Sequence, residues 1–264
     1  MFLVLWSWRW RNHDNVRYEI SHLKNHKIKV TIFEFIDYLY PHFVPAYKNI
    51  KPLKQVIKIK GLEDLKDRLK KLEKKYDLII LNTIDSLNTR GLLINYFLNR
   101  QQKNIVIELR SSQIPVFNYN FLHLINFQKF KKFLISPLTA YYYLKGYFFS
   151  WLRKRFKLFP NYLLRAGYKH YPNYMEKYGV KIRDINSLDY SNYLTYKLNR
   201  NNKKKYILFI DSPAPKFKGD GLLYKSGYPF TSEKWYPSLN NFFTKIEKKF
   251  KLKVLIAPHP KVKY

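Results

Sequence analysis

Residues Asp77 to Asn82 read "DLIILN": four consecutive apolar residues closed at each end by a polar one. The run does not alternate and is too short for an ordinary helix. It suits a strand covered on both faces, and such strands belong to parallel sheets. A parallel strand needs a crossover before the next strand, usually a helix, and the flanks supply the material for one. Upstream, Leu62, Leu65, Leu69 and Leu72 recur at helical spacing, while Asp64/Arg68 and Asp67/Lys71 are i,i+4 pairs of opposite charge. Downstream, Leu92–Leu98 predicts a helix and Asn104–Leu109 ("NIVIEL") another strand. Further out, Phe2–Trp6, Ile28–Phe33 and Gln55–Ile59 predict strands. Asp14–His26, with Val16, Ile20 and Leu23 on one face, predicts a single helix. Strand and helix in turn imply βαβ units, a parallel sheet and the α/β class.

After Pro115 the texture changes. Residues 116–160 are aromatic, basic and helical in pattern, and Tyr162–Gly167 returns to a strand. A polar, basic run, "KLNRNNKKK" from Lys197 to Lys205, is the linker candidate. Beyond it Tyr206–Asp211 and Leu252–Ala257 predict strands. Between them Pro237–Phe250 predicts a helix with Pro237 at its first position. The expected organisation is therefore residues 1–196 with a helical insert at 116–160, then 197–264. One helix cannot cover both faces of a two-stranded parallel sheet, so the second domain reads as incomplete: either the chain is a fragment, or the first unit or a partner covers the open face.

Composition narrows the partners. Of 264 residues, 46% are hydrophobic, enough for a sizeable core and against disorder. Lys and Arg number 50 against 18 Asp and Glu, a net charge of +32 that favours polyanions: nucleic acid, anionic lipid or sugar nucleotides. The bias towards Lys, Asn, Ile, Tyr and Phe, which an A+T-rich genome produces, accounts for the charge equally well. The absence of Cys excludes disulfides, thiolate metal sites and a Cys nucleophile. No GxGxxG, Walker, HExxH or GxSxG motif occurs, and the seven His are scattered, so no metal or bound cofactor is expected. The start, "MFLVLWSWRWR", carries Arg9 and Arg11 too early for a signal peptide. From Leu134 to Leu152 the chain nearly reaches membrane-spanning length, but Pro137, Lys145 and its Tyr and Trp residues oppose a span. With "RKRFK" following, residues 134–157 suit either the surface of an anionic membrane or a long buried helix linking two domains.

In open α/β sheets, ligands bind beyond the carboxyl ends of the strands. That rule selects Asp211 and Ser212 after "YILFI", and His259-Pro260-Lys261 after "KVLIA". An imidazole donor and an ammonium suit a phosphate or departing nucleoside phosphate, and a carboxylate suits a hydroxyl proton or a ribose. In the first unit the rule selects Thr83, Asp85, Arg110, Ser111 and Ser112, with Asp85 either a general base or a solvated turn residue. "KFKGDGLL", around Asp220, reads as a turn.

Several stretches together resemble one known family: "VRYEISHLKNHKIKVTIFEF", "IELRSSQIP", "FPNYLLRAGYKHY", "INSLDYSNYL", "YILFIDSPAP" and "SEKWYPSLNNFFTKIEKKFKLKVLIAPHPK". The last is the most specific, through Trp235-Tyr236, Phe242-Phe243 and His259-Pro260. The family is that of bacterial surface-polysaccharide biosynthesis proteins resembling GT-B-type glycosyltransferases. Pro258 stands where the family usually has Ala, and Lys261 where it usually has Arg, which keeps charge but loses bidentate recognition. The resemblance implies two Rossmann-like domains, the first on the acceptor side and the second binding the nucleotide-sugar. It implies transfer of a sugar to a glycan or lipid-linked glycan, in the cytoplasm or at the periphery of the inner membrane. His259 and Lys261 would stabilise the leaving phosphate, Asp211 and Ser212 would serve the nucleotide, and Asp85 would be an acceptor base. The family continues well past the His-Pro, so activity is expected only where the C-terminal domain is completed. The alternatives are an inactive truncated fragment and a basic nucleic-acid-binding protein.

Overall fold

The computed structural model describes residues 1–42, 53, 55–86, 88–101, 103–111, 137–166, 173–186, 190, 194, 205–212, 215 and 231–258. The chain divides into two compact units, Met1–Tyr196 and Lys197–Tyr264. Residues 116–136 of the expected insert, 134–136 of the aromatic–basic segment, 197–204 of the expected linker, Ser112, Asp220, His259 and Lys261 lie outside the described residues.

Unit 1 is built on β1 (Phe2–Trp6). Leu3, Val4 and Leu5 have no exposed surface, and successive side chains of a strand point to opposite faces, so both faces must be roofed. Leu3 and Leu5 join Phe33, Leu65, Leu69, Ile80, Ile94 and Leu98 in one core cluster. Val4 and Trp6 join Trp10, Ile20, Ile32 and Leu81 in the other. In chain order the remaining elements are α1 (Asn12–Arg17), α2 (Ile20–Asn25), β2 (Val30–Glu34), α3 (Ile36–Leu39), β3 (Val56–Lys58), α4 (Leu62–Glu73), β4 (Ile79–Asn82), α5 (Thr89–Arg100), β5 (Ile105–Ser111), α6 (Pro137–Arg155), β6 (Tyr162–Ala166), a 3-10 turn (Asn173–Tyr178) and β7 (Lys181–Asp184). Seven strands form one sheet in the order β3-β2-β1-β4-β5-β6-β7. Every pair is parallel, and β1 registers Phe2 against both Val30 and Ile79. This is the α/β, Rossmann-like sheet that the "DLIILN" run requires, with β7 at its edge.

The single helix expected over Asp14–His26 is instead two short ones, broken at Glu19 in the left-handed region (φ 49°). The cause is aromatic. The Tyr18 ring packs edge-on to Trp6 at 5.3 Å and against Trp10 at 5.6 Å. Drawing Tyr18 inward turns Val16 out to 76% exposure, so of the expected stripe Ile20 and Leu23 pack on the core and Val16 does not. On α6, Phe149 is buried, and Arg153 reaches Glu108 on β5 at 2.5 Å and the Leu158 carbonyl at 3.0 Å. Among the described residues no helix is long and apolar enough to cross a membrane.

Unit 2 contains β8 (Ile207–Ile210), α7 (Ser232–Phe250) and β9 (Val254–Ala257). The strands lie side by side in parallel, with Ile207 against Val254 and Ile210 against Ala257. Phe209 meets Phe243 of α7 at 4.9 Å, while Leu208, Ile210 and Leu255 are exposed. Helix α7 begins five residues before the expected Pro237, which lies inside it. Its first turn gathers Glu233 and Trp235, whose N–H donates to the Thr231 carbonyl at 2.9 Å. Starting earlier leaves Pro237 in the second turn, where it removes one intrahelical hydrogen bond.

A buried ion pair ties the loop after β1 to β2. Arg9 is 5% exposed, and its guanidinium donates to Glu34 at 2.5 Å and to Asp37 at 3.3 Å, while the Trp10 N–H donates to the other Glu34 oxygen at 2.9 Å. Burial pushes the Glu34 carboxyl above its ordinary value, and the Trp10 N–H and the Arg9 charge pull it back. Removing Arg9 leaves a buried carboxylate unpaired, so Arg9→Ala costs about 3–5 kcal/mol at neutral pH. Its folded-state pKa then rises further. The penalty is present at high pH and relieved as pH falls through that pKa towards the ordinary carboxylate range. Urea denaturation at two pH values measures this; a pH-independent loss contradicts it.

Candidate functional site

The winding of unit 1 locates a candidate site. From β1 the chain moves one way to β2 and β3, then crosses back to β4 on the other side of β1 and continues outward. The loops leaving β1 and β4 therefore part in opposite directions, and the crevice between them is the sheet's switch point. Here the β1 loop is not glycine-rich. It reads Ser7-Trp8-Arg9-Trp10-Arg11, so it offers rings and cations rather than a tight phosphate turn.

Backbone and hydroxyl bonds lock the two loops together. The Thr83 N–H and hydroxyl both donate to the Leu5 carbonyl, at 3.1 and 2.8 Å, and the Ser7 hydroxyl donates to the Thr83 carbonyl at 2.8 Å. Below them the buried amides of Asn82 and Asn95 shape the turn after β4. Asn82 donates to the Asn95 oxygen at 2.7 Å and accepts from the Ile84 N–H at 3.0 Å. Asn95 donates to the carbonyls of Ile84 at 3.1 Å and Gly91 at 2.9 Å. Asn88 caps α5 by accepting from the Gly91 N–H at 2.8 Å. Gly91 is there for space. A Cβ at this position would meet the Asp85 carbonyl oxygen at 2.1 Å.

The turn delivers Asp85 to the surface of the crevice. The Tyr40 hydroxyl donates to the Asp85 carboxylate at 2.9 Å, and the Trp8 ring stacks on the Tyr40 ring at 4.8 Å, nearly parallel at 12°. Nearby, Arg90 of α5 lies over the Tyr38 ring at 5.1 Å and donates to the Tyr38 carbonyl. The result is a carboxylate and a phenol beside a flat aromatic platform, with Arg9 beneath holding the loop by its ion pair. A carboxylate so placed can accept a hydroxyl proton, and a ring face can receive the apolar face of a sugar or base. Trp8, Tyr40 and Gly91 were not singled out by sequence. The stack joins residues 32 positions apart in the chain, and Gly91 is recognisable only once α5 and the 83–88 loop are brought together.

A second hollow of about 160 Å³ lies elsewhere, lined by Asn82, Asn95, Asn99, Glu108, Phe159 and Asn161 among others. It extends from Asn82, the last residue of β4, to Asn161, just before β6, and shares the Asn82–Asn95 pair with the turn after β4. Asn99 there is occupied with the Lys157 and Phe159 carbonyls, at 3.1 and 3.2 Å.

In unit 2, Asp211 is buried at the carboxyl end of β8. Its N–H donates to the Ala257 carbonyl at 3.0 Å, and its carboxylate accepts from the Ser212 N–H at 2.8 Å. Burial, and then the Asp211 charge, push the Tyr236 phenol of α7 up from its ordinary value. Asp211, Ser212, Tyr236 and the exit of β9 thus converge, and Pro258 is the last described residue before His259. Of the expected site residues the structure places Asp85 in the unit 1 crevice and Asp211 and Ser212 together in unit 2. Among the described residues there is no group of three or more His, Asp or Glu able to hold a metal.

No protein-family model, curated protein or solved structure matches the chain.

Two glycine substitutions have opposite expected effects. Gly91→Ala forces the Asp85 turn away and costs about 1–3 kcal/mol, the range for overpacking. Gly146→Ala sits in a helix with nothing within 4 Å of the new methyl and gains about 0.5–1 kcal/mol. Denaturant midpoints of both variants measure this; equal shifts in the same direction contradict it.

Proposed function

We propose that the protein is a glycosyltransferase of GT-B-like layout that serves cell-surface polysaccharide assembly, moving a sugar from a nucleotide-sugar to a glycan acceptor. The observation that carries this reading is the Asp85–Tyr40–Trp8 arrangement at the switch point. A carboxylate is set beside an aromatic platform where a Rossmann-like sheet presents its ligands. The platform suits a sugar ring of the acceptor, and Asp85 takes the proton of the attacking hydroxyl. The acceptor oxygen bonds to the anomeric carbon as the bond from that carbon to the nucleotide phosphate breaks. The electron pair leaves with the phosphate, whose charge is met by the ammonium of Lys261 and by His259 as hydrogen-bond donor. Support for the donor side comes from unit 2, where the buried Asp211 and the exposed Ser212 lie at the exit of β9, the strand that leads into His259. The resemblance to the surface-polysaccharide family points the same way, through Trp235-Tyr236, Phe242-Phe243 and His259-Pro260.

The test has two stages. CMP, UDP, GDP and their sugars are screened by thermal shift, where a ligand at a hundred times its dissociation constant adds about 2.7 kcal/mol of stability. With the nucleotide that binds, and in a chain that carries the whole nucleotide-binding domain, Asp85→Asn is expected to lower turnover by about a hundredfold or more, and His259→Ala by at least about tenfold. Failure of every nucleotide to raise the melting temperature removes the proposal, and full turnover by Asp85→Asn removes Asp85 from it.

A further inference from the structure

The α6 helix (Pro137–Arg155) has one side fixed to unit 1 and another that faces outward. Phe149 (7% exposed) and Arg153, four residues apart, fix it, the latter through Glu108. At 100° per residue, Leu144 and Trp151 lie on the opposite side, with Phe148 flanking them. Leu144 is 67% and Trp151 51% exposed, and Phe148 is exposed too, its ring lying over that of Trp151 at 6.2 Å. Arg155 is on the same side, one turn after Trp151. Lys157 follows, and both are exposed.

The surrounding sequence has one sign of charge. From Leu109 to Met175 there is no Asp or Glu, while eleven Lys or Arg occur: Arg110, three between Phe127 and Phe133, Lys145, four between Leu152 and Leu158, Arg165 and Lys169. The described carboxylates that meet this segment, Glu108 and Asp184, are already matched by Arg153 and Arg165. An outward apolar face within a carboxylate-free, cationic stretch fits a partner that is apolar inside and anionic at its surface.

We infer that the Leu144–Phe148–Trp151 face of α6 lies in the interface of an anionic lipid bilayer, with Arg155 and Lys157 at the headgroups. Leu, Phe and Trp on one side with cations at the end are the pattern of an in-plane interfacial helix, which sinks its apolar face roughly 5–10 Å into the headgroup boundary. Trp there keeps its ring in the acyl region and its N–H near water. A helix of 19 residues spans roughly 28 Å, enough for such a face and, with Lys145 and three cations in its last turn, unsuited to crossing. A nucleic acid is the poorer match. Leu144, the most exposed of these residues, offers nothing to a base or a phosphate, whereas it is a good acyl-chain contact. This inference stands independently of the transferase reading.

The experiment is vesicle co-sedimentation of the whole chain with phosphatidylcholine alone and with phosphatidylcholine containing about 30% phosphatidylglycerol. Wild type is expected to partition at least about tenfold more strongly onto the anionic vesicles. The Leu144→Gln/Trp151→Gln variant is expected to lose at least about tenfold of that, and Arg155→Ala/Lys157→Ala about as much. These positions are exposed, and unchanged circular dichroism and melting temperature establish that the variants fold. Undiminished binding by Leu144→Gln/Trp151→Gln overturns the inference in favour of diffuse attraction by net charge. Absence of vesicle binding overturns it outright. So does a result in which that variant loses affinity for single-stranded RNA while its lipid partition is unchanged.

Discussion

The unit 1 fold depends on the burial of β1. With Leu3, Val4 and Leu5 wholly enclosed, the strand cannot lie at an edge or carry a solvated face, so the chain has to build outward from it in both directions and roof both sides. Strands β2 and β4 flank it, and the two core clusters divide its side chains between them. A sheet that grows both ways from its first strand must reverse its winding beside that strand. The reversal opens the crevice where Trp8, Tyr40 and Asp85 meet. The position of the candidate site is thus a consequence of which strand is buried most deeply.

Two buried polar devices keep that crevice in shape. The Arg9–Glu34 pair, with the Trp10 N–H as a further donor, holds the loop after β1 against β2. The Asn82–Asn95 amide pair satisfies the turn after β4 and fixes it to α5. Both lie where backbone groups leave regular structure and would otherwise be desolvated without partners. The side chains proposed to face ligand, Asp85 and the Trp8–Tyr40 stack, are joined through the Tyr40 hydroxyl, and the loops that carry them rest on these supports. Such division suits a site that must hold its geometry while exposing polar groups to solvent.

Much of this organisation could be read from residue order. "DLIILN" names β4, the Leu repeat names α4, and "KVLIA" names β9, because continuous apolar runs and 3.6-residue periods carry burial directly. The strand ends so implied put Asp85 after β4 and Asp211 and Ser212 after β8. What escaped depends on contacts between distant residues. The Asp14–His26 stripe looked helical throughout, but Tyr18 found better partners in Trp6 and Trp10 and broke it. Pro237 looked like a helix start, yet the favourable first turn lies five residues earlier. Trp8 and Tyr40 carry no local sign of stacking, and Gly91 none of the carbonyl that crowds it.

The central claim is that ligands occupy the crevice between the β1 and β4 loops. Amide and indole NMR of the labelled protein, titrated with nucleotide-sugars and short oligosaccharides, tests it most directly. Saturable shifts concentrated at Trp8, Tyr40 and Thr83–Ser86 are the predicted result. Saturable shifts confined to the hollow around Asn99 and Asn161, with the crevice signals unmoved, would contradict it.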